Sequence, residues 1–392
     1  PARIPGFVSR RATEAIASRQ LVACGVGVSP SVKVERLSIA ERQLVEIAKG
    51  VSASPRVLIL DEPTSSLTLS ETRALFQTIR RLVRLGTAVV YISHKLDEVF
   101  SIADRITVLR DGSRVASAPT SEWREASLVR AMVGRDLTSL FPRTFAPPGP
   151  VRLEIAHLGK EGLFQDVSFS AHAGEVLGLY GIIGAGRTNV GEAIYGLAPA
   201  DTGEIRVDGR PVRIRSPAQA IAAGIAMSPE DRRRNGLTLM LSVRDNASIS
   251  ALGKLSRAGF IRLSAERRSV ARYLKQLLVR AASQRQEVGT LSGGNQQKVV
   301  IGRSLMPEPK ILILDEPTRG IDVVAKAEVH ASVDRLAQQG LAILLISSEL
   351  PEILGMSDRI LVMRNGAIAG EFSRRDASEE KLVALATGAN HD

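Results

Sequence analysis

The feature that most constrains this chain is an internal repeat. LSIAERQLVEIAKGVSASPRVLILDEPT, beginning at Leu37, is matched by LSGGNQQKVVIGRSLMPEPKILILDEPT, beginning at Leu291, an offset of 254 residues. The register then holds without a gap, carrying Asp61 onto Asp315, Glu62 onto Glu316, His94 onto Ser348 and Asp104-Arg105 onto Asp358-Arg359. Agreement over so long a stretch implies two homologous units. A cluster at Pro142, Pro147, Pro148 and Pro150 interrupts any helix or strand between them. It places the boundary near residue 150, with one domain over 1–146 and a second over 151–392.

Within each copy, short apolar runs such as VLIL, AVVYIS, ILIL and AILLIS alternate with longer amphipathic stretches. This predicts an α/β fold of parallel strands buried on both faces, with ligands at their carboxyl ends. The 392 residues suit two domains, and no apolar run approaches the ~20 residues of a membrane span. The N-terminal stretch carries arginines but no apolar secretory segment, and the single Cys24 excludes an internal disulfide framework. Both fit a cytoplasmic protein. The net charge of +11 is compatible with nucleic acid, an anionic surface or phosphate-rich ligands and does not choose among them.

After the strand-like EVLGLY comes GIIGAGRTN, with Gly181, Gly184, Ala185, Gly186, Arg187, Thr188 and Asn189, followed by a helix-compatible stretch. Closely spaced glycines let backbone N–H groups converge on phosphate oxygens at a helix N-terminus, and the Thr188 hydroxyl can ligate Mg²⁺. Arginine stands where lysine is usual. A planar guanidinium is bulkier than an ammonium, so binding can survive while γ-phosphate geometry suffers. By the repeat offset, the first copy's loop would fall at position −73, before Pro1; a chain opening inside a repeated domain, without an initiating methionine, is expected to be incomplete.

Each DEP tripeptide ends an apolar strand in two carboxylates. Asp61 and Asp315 are placed to hold Mg²⁺ through water, and Glu62 and Glu316 to polarise an attacking water. In LSGGNQQ, Ser292, Gly293, Gly294 and Asn295 precede a helix and can clamp a second anion.

The phosphate loop, LSGGNQQ and DEPTRGID together resemble the motif set of ABC ATPases, over nearly the whole chain. More narrowly, GIIGAGRTN, MSPEDRRRNGL, ISSELPEILGMSDRI and the first-copy LSIAERQ and ISHKLDEVF are similar to the tandem ATPase subunits of bacterial sugar importers of the ribose, galactose and xylose kind. The resemblance implies two P-loop NTPase domains in tandem, the first incomplete, that bind ATP and Mg²⁺ in composite sites. One site would join residues 181–188, Asp315, Glu316 and Ser348 to the weaker signature Leu37-Ser38-Ile39-Ala40. It is expected to bind nucleotide and hydrolyse slowly, since Ser348 stands where a histidine would steady the γ-phosphate. The other would join the absent loop, Asp61, Glu62 and His94 to Ser292 through Asn295.

Glu230 falls where related ATPases carry a glutamine that senses Mg²⁺ and the transporter, whereas Arg232, Arg233 and Arg234 read as a solvated face. Adenine recognition is unassigned, with His157 and Phe164 as candidates. The implied partners are membrane permease subunits and, indirectly, a periplasmic or extracellular sugar-binding protein, with no nucleic acid. The implied location is the cytoplasmic face of the bacterial membrane, peripherally bound. The alternatives are a non-hydrolysing nucleotide-binding fragment, a nucleoside-importer ATPase and a soluble ABC protein acting on nucleic acid.

Overall fold

The computed structural model describes residues 9–388 apart from 24–26, 54, 65, 66, 68, 94, 111, 134–139 and 183. The chain divides into two compact units, Pro1–Gly134 and Arg135–Asp392. Residues 140–146, placed from the prolines at the end of the first domain, thus belong to the second unit, and the division falls before the proline cluster.

In the first unit, helices α1 (Arg10–Ala23) and α2 (Ile39–Ser52) precede strand β1 (Val57–Asp61), α3 (Leu69–Arg84) and β2 (Ala88–Ile92). After these come α4 (Leu96–Ile102), the hairpin β3 (Arg105–Arg110) and β4 (Ser113–Pro119), and α5 (Glu125–Val133). β1 and β2 pair in parallel.

The second unit begins with β5 (Val151–Lys160), β6 (Phe164–His172), β7 (Val176–Tyr180), α6 (Arg187–Tyr195), β8 (Thr202–Val207), β9 (Arg210–Val212), α7 (Pro217–Ala222) and β10 (Ile225–Ser228). A helical stretch follows: α8 (Val243–Ser248), α9 (Leu252–Leu255), the short pair β11 (Ser256–Arg257) and β12 (Phe260–Ile261), α10 (Leu263–Gln276) and α11 (Gly293–Leu305). The unit closes with β13 (Ile311–Asp315), α12 (Val323–Gln338), β14 (Ala342–Ile346), α13 (Leu350–Met356), β15 (Arg359–Arg364), β16 (Ala367–Ser373) and α14 (Glu379–Thr387). From β1 to α5, every strand and helix boundary recurs 254 residues later, from β13 to α14. Even the irregularity between Val108 and Leu109 returns between Val362 and Met363.

Six strands of the second unit form one sheet in the order β10-β13-β14-β7-β15-β16, parallel except for the antiparallel edge β16. One face packs on α8, α10, α11, α12 and α13 through Leu312, Leu314, Ile343 and Leu345. The other packs on α6 and a four-stranded antiparallel layer, β6-β5-β8-β9, through Ile311, Ile313, Leu344 and Ile346. Burial on both faces explains the unbroken apolar runs of β7, β13 and β14.

The same sequence pattern behaves differently in the first unit. Leu58 and Leu60 are buried, but Val57 and Ile59 are 57% and 65% exposed, and Val90, Ile92 and Leu109 are exposed as well. The expectation of two covered faces therefore fails for β1 and β2. In the second unit the equivalent face is covered by α6 and the β6-β5-β8-β9 layer, which lie within residues 151–228.

Candidate functional site

The carboxyl ends of β7 and β13 bring one group of predicted residues together. β7 is wholly buried and delivers the chain into the loop 181–186, which turns directly into α6 at Arg187. Gly184 and Gly186 have φ of +87° and +94°, a backbone region that side chains rarely adopt. A Cβ on Gly181 would lie 2.6 Å from the Met363 carbonyl oxygen, and one on Gly186 would lie 3.1 Å from that of Leu163. The glycines are thus required by conformation and by close approach. Ala185 is buried in the loop and accepts from the Gly366 amide through its carbonyl (3.1 Å), while Asn189 is half-buried in the first turn of α6.

Beside the loop, the Thr188 hydroxyl donates to Asp315 Oδ1 at 3.3 Å. Asp315 is fully buried, and its Oδ2 has no hydrogen-bond partner among the described residues. Burial pushes its carboxyl up to about 7, with repulsion from Glu316 and Glu192 adding to the effect and Thr188 and Arg187 opposing it. A buried oxygen without a partner beside a threonine hydroxyl is the donor set that a hard divalent cation would satisfy together with phosphate oxygens. The residues present therefore fit Mg²⁺.

Glu316 follows at φ +45°, an uncommon backbone for a non-glycine residue, and Glu62 repeats it at +48°. In both, the strained turn is held by the glutamate amide donating to the neighbouring strand, to Ile346 at 2.8 Å and to Ile92 at 2.9 Å. Glu316 Oε1 accepts from the Ser348 amide at 2.8 Å and lies 3.4 Å from Arg187 Nη1, both side chains being 9% exposed. Burial raises the Glu316 carboxyl above its ordinary range and the nearby Glu352 adds to this, against Ser348 and Arg187. The arginine that replaces lysine thus faces the carboxylate expected to polarise water.

Other predicted residues sit against different neighbours. Ser292 stands at the N-cap position of α11 with no capping bond from its side chain, and its Oγ accepts from Asn295 Nδ2 at 2.9 Å. Gly294 is pressed on Ala325, where an added Cβ would come within 2.3 Å of the alanine Cβ. In the first unit, the Ser38 hydroxyl is instead engaged by its own helix, accepting from the Glu41 amide at 3.2 Å in a capping box. That local bond competes with any anion for Ser38. Asp61 is exposed where its counterpart Asp315 is fully buried. His94 lies outside the described residues.

Glu230 pairs with Arg319, three residues beyond Glu316. Arg232 is no solvated face: it donates to the Arg319 and Gly320 carbonyls at 2.8 and 2.9 Å and abuts Gly293, tying the turn after Glu316 to the signature. Arg233 and Arg234 are exposed as expected. Sequence reasoning had no signal for Arg232, because an arginine run looks alike whether one member is docked or none is. Phe164 is buried in the core and offers no stacking face, while His157 is exposed and paired with Asp166 at 2.7 Å.

A parallel sheet with a glycine loop before α6 and paired carboxylates ending β13 defines an ATP-binding cassette, and residues 164–319 match the ABC transporter family model. The fold agrees with a nucleotide-free ATP-binding cassette from an ABC transporter, at 25% identity and TM-score 0.51 over 60% of this chain and 98% of that one. The chain is 49% identical to a ribose import ATP-binding protein of Rubrobacter xylanophilus over 98% of its own length and 77% of that protein. It is 47% identical to one of Geobacillus kaustophilus, over 98% of its own length and 78% of that protein. It therefore belongs to the ATP-binding proteins of ribose-type ABC importers, which are ATPases.

Proposed function

We propose that this chain binds MgATP and hydrolyses it to drive carbohydrate import through membrane permease subunits. The observation that carries the reading is the convergence of Arg187, Thr188, Asp315 and Glu316 where β7 and β13 end. Thr188 and Asp315 would hold Mg²⁺, which would neutralise charge on the β- and γ-phosphates, and the 181–188 backbone would cradle the phosphates. Glu316 would orient the attacking water. Its contact with Arg187, and the absence of a side-chain imidazole at Ser348, make this a site that holds nucleotide and turns it over slowly.

The exact element-by-element repeat supports a further reading, that 1–146 and 151–392 are tandem copies of one nucleotide-binding domain. Asp61 and Glu62 would then hold in the first copy the roles of Asp315 and Glu316 in the second, with His94 at the position of Ser348. The sugar named for the Rubrobacter and Geobacillus relatives points to a ribose-class substrate, delivered by a separate binding protein. A peripheral position on the cytoplasmic membrane face follows from the permease partnership; among the described residues no helix is long and apolar enough to cross a membrane.

The test is Mg²⁺-dependent binding of a fluorescent ATP analogue together with steady-state hydrolysis. Arg187→Lys should raise turnover about 10-fold or more, in line with a displaced catalytic charge, and Glu316→Gln in the same background should abolish the gain. Unchanged turnover in Arg187→Lys would show that the arginine does not limit this site.

A further inference from the structure

The polar network behind Glu316 differs between the two units in the side chains that meet its buried glutamate. Thr64 and Glu98 in the first recur as Thr318 and Glu352 in the second, and each threonine hydroxyl donates to its glutamate, at 2.7 and 2.9 Å respectively. In the first unit the glutamate takes its further bonds from Tyr91, at 2.7 Å, and Lys95, at 3.1 Å, and Phe76 packs edge-on against Tyr91. At the repeat offset, position 330 carries histidine instead of phenylalanine and position 345 carries leucine instead of tyrosine. His330 Nε2 meets Glu352 Oε1 at 2.7 Å; burial pushes that carboxyl up, but the bond and charge of His330, with bonds from Ser347 and Thr318, outweigh it and hold the carboxyl below its ordinary range.

The other nitrogen of His330 reaches out of the network. Nδ1 donates to the Leu140 carbonyl at 2.7 Å, and the Phe141 ring lies over the imidazole with centroids 5.0 Å apart. Phe141 fills the space beside Gly355, where an added Cβ would come within 2.3 Å of its ring. Arg143, with its side chain 1% exposed, then clamps the segment to Asp334 at 3.0 Å and Asp358 at 2.6 Å, and the Thr144 amide donates to Asp334 at 2.8 Å. Residues 140–144 therefore form a strap, docked by buried charge and an aromatic contact, at the point where the chain enters the second unit.

Glu352 joins this strap to the nucleotide site along two short routes. Thr318 lies two residues after Glu316, and α13, which carries Glu352, begins two residues after Ser348, whose amide holds Glu316. We propose that His330 is a positioning residue that couples the 140–144 strap to the Glu316 loop, so that nucleotide at the loop and order in the strap stabilise one another. This rests on the nucleotide site proposed above. Linkage makes the coupling reciprocal: whatever nucleotide does to the strap, a fixed strap does to nucleotide affinity.

The experiment is hydrogen exchange on the full chain, with and without MgATP, in the wild type, in His330→Phe and in His330→Phe/Leu345→Tyr. The double variant imports the first unit's own Phe76–Tyr91 pair, so Glu352 regains a donor while the bond to Leu140 stays broken. MgATP should slow exchange in 140–146 about five-fold or more in the wild type, the lower range of allosteric coupling, alongside protection of 181–188. His330→Phe should lose the strap response, and the double variant should recover the thermal midpoint but not the response. A strap response in the double variant equal to wild type, or none in the wild type while 181–188 is protected, overturns the coupling. No protection at 181–188 and no bound nucleotide would instead overturn the site on which it rests.

Discussion

Replacing Asp315 by asparagine tests the electrostatics of the site directly. Asp315 is fully buried, and its carboxyl is pushed from an ordinary 3.8 up to about 7. The folded protein therefore keeps this proton up to about pH 7, whereas the unfolded chain releases it near 3.8. Between those values the folded state binds more protons, so stability falls as pH rises, and above 7 this contribution is flat. The shift corresponds to about 4 kcal/mol of destabilisation at pH 8, an upper bound since water can enter the site. At pH 5.5 it is about 2 kcal/mol by the same relation. The Asp315→Asn side chain, which does not ionise, would carry no such penalty at either pH.

Urea unfolding of the second unit should thus show Asp315→Asn to be more stable than wild type at pH 8, with the advantage shrinking by about 2 kcal/mol at pH 5.5. Added MgATP should reverse the order at pH 8. Wild type gains by mass action from a ligand bound only to the folded state, and the variant, lacking the carboxylate proposed to hold Mg²⁺, gains little. A variant less stable than wild type at both pH values, with no pH-dependent difference, would refute the reasoning and show that Asp315 is ionised and satisfied in the empty site.

Three further outcomes follow from the geometry. Gly186→Ala, at φ +94° with Leu163 O in the way, should lose binding of the fluorescent nucleotide and cost about 1–3 kcal/mol in unfolding experiments. Ile313→Ala should cost about 2–5 kcal/mol, because Ile313 is fully buried in the second unit. Its repeat counterpart Ile59→Ala, at a position 65% exposed, should stay within about 0.5 kcal/mol in thermal unfolding of the first unit.

The repeat, the strand-loop-helix order and the carboxylate pairs were legible because each depends on local chemistry: glycine where φ is positive, apolar runs where strands are buried, acids where strands end. The offset of 254 read from Leu37 and Leu291 is the same offset that separates the strand and helix boundaries. What tertiary structure decided depends on neighbours remote in sequence. VLIL and ILIL are equivalent as strings, yet Ile59 is exposed and Ile313 buried, since burial is set by the layers that cover a sheet and not by the strand. Arg232 and Arg233 are adjacent and chemically identical, but only the first reaches the carbonyls of residues 319 and 320, so only it was misjudged as a solvated charge. The segment before the proline-marked boundary, read as the end of the first domain, packs in the second unit because Arg143 finds Asp334 and Asp358, 191 and 215 residues away. The contact of Arg187 with Glu316 likewise exists only once β7 and β13 lie two strands apart in one sheet.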